Sequence, residues 1–358
     1  MRGIAVNPGE KNSSHIVEID PPIIGEHEVL VKVLQVGIDG TDSEIDEGLY
    51  GDTPSGCLFL IIGHESFGIV EDVGSEVGDL KKGDYVVSTV RRPCKECINC
   101  KNGESDMCLT GNYLERGIKG LHGFMADYYK EVSEFLVKVP ERHRRAGVLL
   151  EPLSIVEKAI LQSFEMQKRM FWEPKNALIL GAGPIGLLAT MVLRNKDLEV
   201  YTVATREKNS LKAGLVEETG SYYINAKKEP ILDLKEKIGS FDLVIEATGS
   251  SQVAFESMKL IGTNGVLCLT SITGGDKRIE VEADKLNLDL VLGNKTVYGM
   301  VNANRNHFEA GVKHFYDFEE KWPTLLERMI TRKEPFENFK EALKRDSEDL
   351  KTILEISR

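Results

Sequence analysis

The stretch Leu178-Ile-Leu-Gly181-Ala-Gly183-Pro184-Ile185-Gly186 constrains the fold of this chain more than any other. An apolar strand runs straight into three glycines and then into the opening of a helix. The first glycine allows the tight turn, the second lets a pyrophosphate approach the backbone, and the third lets helix and strand pack closely. Unpaired N–H groups and the positive dipole end of the helix then face the phosphates. A bare Gly-x-Gly-x-x-Gly is often only a turn, so its context decides. Here strands and helices go on alternating: Val200–Ala204, a helix from Glu207, Phe241–Glu246, a helix from Ser251, and Gly265–Thr270. Such alternation predicts βαβ units and a doubly wound parallel sheet, an α/β fold that binds a dinucleotide. Pro184 and Ile185 belong to the same loop.

About twenty residues beyond the glycines, an NAD site places an acidic side chain at a strand end to hold the ribose 2′-hydroxyl. Thr205 and Arg206 stand there instead, suited to a 2′-phosphate, with Glu207 next in line. The arrangement favours NADP with tolerance of NAD. Arg206 as a solvated helix-start residue is the plain alternative. Thr248 ends a further strand where the nicotinamide half belongs, and Ser271, Ile272, Val301 and Asn302 are further cofactor candidates.

The first 140 or so residues read differently, as short apolar runs such as Val29–Val36 and Gly68–Val73 broken by Gly, Pro and Asp. At 358 residues two domains are expected. A helical stretch over Ile155–Phe171, ending near Trp172, leads into the nucleotide domain; after Gly299 the pattern turns helical, and Lys351–Ile356 reads as one closing strand. That strand can rejoin the N-terminal sheet, making residues 156–302 an insertion in a catalytic domain of residues 1–155 and 303–358. The 41% apolar content suits a globular chain, and 57 acidic against 45 basic residues give a net charge of −12. That balance argues against nucleic acid or anionic membranes as partners. No apolar run has the length of a bilayer span, and the N-terminus lacks a signal-peptide core, so a cytoplasmic location is expected.

Four of the six cysteines crowd into Cys94-x2-Cys97-x2-Cys100-x7-Cys108. In a reducing compartment such spacing points to metal rather than disulfides. Four thiolates suit a closed, structural zinc, and an iron–sulfur cluster is the rival. Charged neighbours Lys95, Glu96, Lys101 and Glu104 place the loop at the surface.

Gly63-His64-Glu65-x2-Gly68, the cysteine loop and the glycine fingerprint occur in an order that resembles the zinc-containing medium-chain alcohol and polyol dehydrogenases, over nearly the whole chain. The resemblance implies a GroES-like catalytic domain joined to a Rossmann domain. It also implies a catalytic zinc held by a Cys, by the His of the His-Glu pair and by a residue near the domain junction. Here Asp39 stands in place of that Cys, and an aspartate oxygen can ligate zinc. His64 is the second ligand; Glu151 is the third or an alternating one, and Glu65 enters the shell or orients it from behind. The segments Gly-Ile-Asp39-Gly-Thr41-Asp42, Thr89-Val-Arg-Arg-Pro93, Tyr113-Leu-Glu115-Arg-Gly117, Leu121-His-Gly123 and Glu151-Pro-Leu-Ser-Ile-Val-Glu-Lys158 resemble the archaeal glucose 1-dehydrogenase branch. In that branch Thr41, Glu115, Glu151 and Asn302 stand where sugar hydroxyls are contacted.

The implied reaction is oxidation of an aldose, D-glucose or D-galactose, at C1 to the lactone with hydride transfer to NADP or NAD. Zinc acts as a Lewis acid on the substrate oxygen. Thr41 hydrogen-bonds that oxygen, and Glu44, Glu65 and Glu151 are candidates for proton exit. Polyol, secondary-alcohol and threonine dehydrogenases share the scaffold and remain the nearest rivals. A zinc-ribbon binding protein and a zinc-free reductase are more distant ones. The family forms dimers or tetramers, and Lys295–Met300 is the candidate pairing edge.

Overall fold

The computed structural model describes residues 1–344, 346 and 348–357. The chain divides into two compact units, one of residues 1–154, 302–315 and 326–358 and one of residues 155–301 and 316–325.

The first unit is built on a mixed sheet ordered Leu136–Val139, Tyr85–Ser88, Glu65–Val73, Glu28–Ile38, Lys351–Glu355, Ile330–Pro335, with Tyr128–Val132 also paired to Glu28–Ile38. Successive side chains on a strand point to opposite faces. Val29, Val31 and Val33 accordingly all enter the core, where Phe124, Ile61 and Phe336 join them. The alternation breaks where the register against Glu65–Val73 slips between Val33 and Gln35. Such an irregularity bends a strand and re-aims the side chains beyond it. Asp39 stands at that far end, one residue past the strand. The closing strand pairs antiparallel with the same long strand, Leu354 opposite Val36 and Ile353 opposite Gly37.

The second unit holds six parallel strands ordered Tyr222–Asn225, Glu199–Ala204, Asn176–Leu180, Phe241–Glu246, Ile261–Leu269, Thr296–Gly299. Numbered within the unit, that order is 3-2-1-4-5-6, the doubly wound arrangement that binds dinucleotides at its switch point. The central strands are buried on both faces, which is why they read as continuous apolar runs.

Three elements depart from the sequence reading. The helix expected from Glu207 begins at Leu211, because the Ser210 hydroxyl caps it by accepting from Ala213 N–H. The helix expected over Ile155–Phe171 spans Leu150–Gln167. Pro152 is tolerated in its first turn, where backbone N–H groups have no intrahelical partner. The strand Ile330–Pro335 has no counterpart in the sequence pattern. It lies at the sheet edge, paired among the described residues only with Lys351–Glu355, and its charged sequence carries no buried alternation. Among the described residues, no helix is long and apolar enough to cross a membrane.

Candidate functional site

Asp39, His64 and Glu65 bring one ligand atom each within 4.8 Å of one another. Asp39 leaves the long strand as N-cap of the Gly40–Asp46 helix. Its Oδ1 accepts from the N–H of Thr41 at 2.7 Å and of Asp42 at 3.4 Å, while Asp42 Oδ2 accepts from Asp39 N–H at 3.2 Å. This is a reciprocal cap with aspartate in the third helical position. It turns Asp39 Oδ2 toward His64 Nε2, 3.6 Å away. Two atoms bound to one tetrahedral zinc at about 2.1 Å stand roughly 3.4 Å apart, so the spacing suits a shared ion. The other ring nitrogen, His64 Nδ1, faces Asp42 Oδ1 at 3.7 Å, and among the described residues neither atom has a hydrogen bond. A carboxylate behind the imidazole is the usual support of a metal-bound histidine. Gly63, at φ +90°, permits the arrangement, since a Cβ there would come within 2.6 Å of Met125 Cγ.

The electrostatics call for a cation. Burial disfavours charge on His64, yet Asp39 and Asp42 outweigh it and raise its pKa well above the ordinary value. Burial likewise pushes Asp39 up, but His64 and Lys351 hold it well below the usual carboxylate range. A divalent ion meets the same demand with neutral imidazole, the form that ligates. Glu65 is backed by the ammonium of Lys351, both side chains almost wholly buried. Opposite Glu65, Gly37 supplies the room, because a Cβ there would overlap the Glu65 carboxylate and meet Lys351 Cε at 2.9 Å. Glu151, in the first turn of its helix, is buried but stands outside the set of three. Burial, then the nearby Glu65 and Asp39, push its carboxyl up to about 8 against the opposing pull of His64 and Lys351. Thr41 Oγ1 donates to Asp39 Oδ2 at 3.3 Å, and Glu44 accepts from Tyr50 OH at 3.0 Å.

Cys94, Cys97, Cys100 and Cys108 also bring their sulfurs within 4.8 Å of one another, and none forms a disulfide. The N–H groups of Glu96 and Cys97 point at Cys94 Sγ, both at 3.4 Å, and the N–H of Cys100 points at Cys97 Sγ at 3.5 Å. Thr110 and the N–H groups of Cys97 and Glu96 lower the Cys94 thiol to about 6, while burial pushes Cys100 up to about 12. N–H groups aimed at sulfur stabilise thiolates, so the donor set fits a tetrahedral metal with four bonds of about 2.3 Å. Lys95, Glu96, Lys101 and Glu104 are exposed, as expected.

In the second unit, Gly181 turns at φ +110°, where a Cβ would come within 2.5 Å of Ala247 O. Gly186 packs so closely that a Cβ would overlap Gly181 O. Nothing lies within 4 Å of a Cβ placed on Gly183, which caps the Pro184–Asn195 helix without any side-chain bond. The backbone there is open to an approaching anion. Ile185 follows Pro184 in the first helical turn. Thr205 and Arg206, Thr248, Ser271 and Ile272, and Val301 all lie just past the carboxyl ends of parallel strands. Thr248 donates through N–H and hydroxyl to Glu246 Oε1, at 2.7 and 2.5 Å. Glu207 is paired with Lys228 at 2.5 Å, which lowers its pKa; the sequence offered no sign of Lys228.

Glu115 and Asn302 meet: Asn302 Nδ2 donates to Glu115 Oε1 at 2.8 Å. Arg91, Asp42 and Lys351 surround the candidate residues and were not singled out in the sequence. For Arg91 and Asp42 the signal was their presence within the quoted segments; Lys351 offered none beyond a charge in an apolar strand.

Residues 25–141 match the family described as alcohol dehydrogenase GroES-like domain, and residues 144–356 match glucose dehydrogenase C-terminus. The chain is 49% identical to a glucose 1-dehydrogenase of Methanocella arvoryzae, over 99% of each chain. It is 42% identical to glucose 1-dehydrogenase 1 of Caldivirga maquilingensis, covering 100% of this chain and 99% of the relative. Among solved structures, the glucose dehydrogenase of Haloferax mediterranei in complex with NADP, Zn and gluconolactone superposes with a TM-score of 0.91 at 33% identity, covering 100% of both chains. With its GroES-like domain, its doubly wound sheet and these full-length relatives, the chain belongs to the glucose dehydrogenase family of zinc-containing medium-chain dehydrogenases.

Proposed function

We propose that the protein oxidises D-glucose, and D-galactose as a second aldose, at C1 to the lactone while reducing NADP+ in preference to NAD+. The observation that carries this reading is the convergence of Asp39, His64 and Glu65, in a family whose relatives are glucose dehydrogenases. When bound, zinc supplies Lewis acidity toward the C1 hydroxyl and the nicotinamide takes up the hydride. Asp39 Oδ2 and His64 Nε2 would hold that ion, with Glu65 as the third donor, and the four cysteines would hold a second, structural one. Thr41 Oγ1, already donating to Asp39, keeps lone pairs to accept the C1 hydroxyl. Burial and the neighbouring carboxylates push the Glu151 carboxyl up to about 8, so it can take the released proton only as the pH rises toward that value and the carboxylate form appears. Glu44 and Lys351-paired Glu65 are less suited to that step. Glu115 and Asn302 meet sugar hydroxyls.

The test is a panel of aldoses, polyols, simple alcohols and threonine with NADP+, with the lactone identified and zinc counted. Glucose oxidation with two zinc ions per chain is expected. Hydride transfer from threonine or alcohols but not from sugars sinks the reading.

For the cofactor, Arg206→Ala is expected to raise KM for NADP+ by roughly 10- to 100-fold, the worth of a charge-assisted bond to phosphate. KM for NAD+ should scarcely move. Equal rises for both remove the 2′-phosphate assignment. The Lys295–Met300 edge, whose strand ends the six-stranded sheet, is our candidate for homo-oligomer pairing. The absence of disulfides among the six cysteines suits a cytoplasmic setting.

A further inference from the structure

We infer that Arg91 is a positioning residue for sugar recognition, held by the cysteine loop and acting through Glu115. The inference rests on the reading that Glu115 meets a sugar hydroxyl.

Arg91 and Glu115 are cross-strand partners in a small sheet of Arg91–Arg92, Leu114–Arg116 and Gly120–Leu121. Arg91 is 5% exposed, and each of its three guanidinium nitrogens donates a hydrogen bond. Nε and Nη2 donate to Glu115 Oε1 at 3.0 and 2.9 Å, and Nη1 donates to the Asp106 carbonyl at 3.0 Å. One face stacks on Tyr113, 3.7 Å from the ring centre. Asp106 lies in the Ser105–Met107 turn between Cys100 and Cys108, so the cysteine cluster fixes where that carbonyl stands.

The same loop grips the segment that carries Asn302. Asp106 Oδ1 accepts from Asn304 Nδ2 at 2.9 Å. Asn302, in the left-handed region at φ +60°, donates through Nδ2 to Glu115 Oε1 and accepts from Ala303 N–H at its Oδ1. Glu115 Oε1 therefore takes three N–H bonds. Among the described residues, no group donates to Oε2. One carboxylate oxygen is locked and its twin is left as an acceptor in a fixed direction. That is the arrangement that lowers the ordering cost of binding a hydroxyl. Lysine at position 91 keeps the charge but cannot make the two bonds to Oε1, reach the Asp106 carbonyl and stack at once.

The experiment compares Arg91→Lys, Glu115→Gln and the double variant. Three quantities are read: KM for glucose and for NADP+, kcat, and the dissociation constant of glucose from the NADPH complex by NADPH fluorescence. Thermal midpoint and zinc content are followed alongside. Arg91→Lys should raise both glucose constants about tenfold, the worth of one charge-assisted hydrogen bond. NADP+ KM and zinc content should stay as they are, and kcat should move less than about twofold. If Arg91 acts through Glu115, the double variant is no worse than Glu115→Gln alone. Full additivity, or a fall in midpoint and kcat with the glucose constants unmoved, overturns the positioning role. Glucose constants unchanged in Glu115→Gln instead show that the sugar reading of Glu115 was wrong, whatever Arg91 does.

Discussion

Asp39→Ala is expected to lower kcat roughly a thousandfold, since a metal's stabilisation of developing charge is worth several kcal/mol and each 1.36 kcal/mol is about tenfold. NADP+ binding should survive, because the glycine loop belongs to the other unit. The structure adds a second consequence. Asp39 does two jobs with two oxygens: Oδ1 caps the Gly40–Asp46 helix, and Oδ2 faces His64. Alanine loses both, so stability should also fall by about 1 kcal/mol, the usual worth of an N-cap. Asp39→Asn separates the two jobs. It keeps a cap acceptor and the side-chain shape but presents a neutral amide to the metal. Turnover should collapse in Asp39→Asn while the thermal midpoint stays near that of the parent. Steady-state kinetics, zinc counting and NADPH fluorescence read the outcome. Near-parental kcat in Asp39→Asn sinks the ligand assignment.

The nucleotide-binding sheet was plain in the sequence because its central strands are buried on both faces. Ala177–Leu180 and Phe241–Glu246 need no alternation to be seen, and the glycines mark the turn between strand and helix. The candidate metal cluster is not visible in that way. Asp39 and His64 lie on different segments, and only tertiary pairing of the Glu28–Ile38 and Glu65–Val73 strands brings them together. Nothing local distinguishes Asp39 as a ligand; as a helix cap it looks like any aspartate before a short helix. Family resemblance supplied that assignment. The supporting residues were harder still. Lys351 reads as a surface charge at the start of the last strand, yet it is fully buried because that strand lies beside Glu28–Ile38 and behind Glu65. Arg91 reads as half of a basic pair, and its orientation follows from the cross-strand register with Glu115. Edge strands such as Ile330–Pro335 fail for the opposite reason: with little burial, their sequence is under little apolar demand.

Lys351→Met is the second large effect expected, and it bears on stability more than on chemistry. Glu65 and Lys351 are each about 2% exposed, and Gly37 has given up a side chain to let them meet. Burial works against the charge on Lys351, but Glu65 and then Asp39 outweigh it and raise its pKa, so the ammonium stays protonated. Removing it strands a buried carboxylate beside Asp39, at a cost of about 3–5 kcal/mol. At a few degrees per kcal/mol, the thermal midpoint should drop by roughly 10 °C. Lys351→Met with Glu65→Gln should recover much of that loss, because a neutral pair of similar volume carries no uncompensated charge. Gly37→Ala should reproduce the single variant's loss by prising the pair apart. Zinc sharpens the expectation, because an ion held by Asp39 and His64 would supply positive charge beside Glu65. The loss in Lys351→Met should therefore be larger in chelator-stripped protein than in zinc-loaded protein. Melting curves of both forms decide the matter. A midpoint within about 1 °C of the parent in both forms would mean that Lys351 offsets no buried charge, since breaking a buried pair is otherwise strongly destabilising. A loss of equal size in both forms would place the metal too far from Glu65 to share its field, and Glu65 would then leave the ligand set.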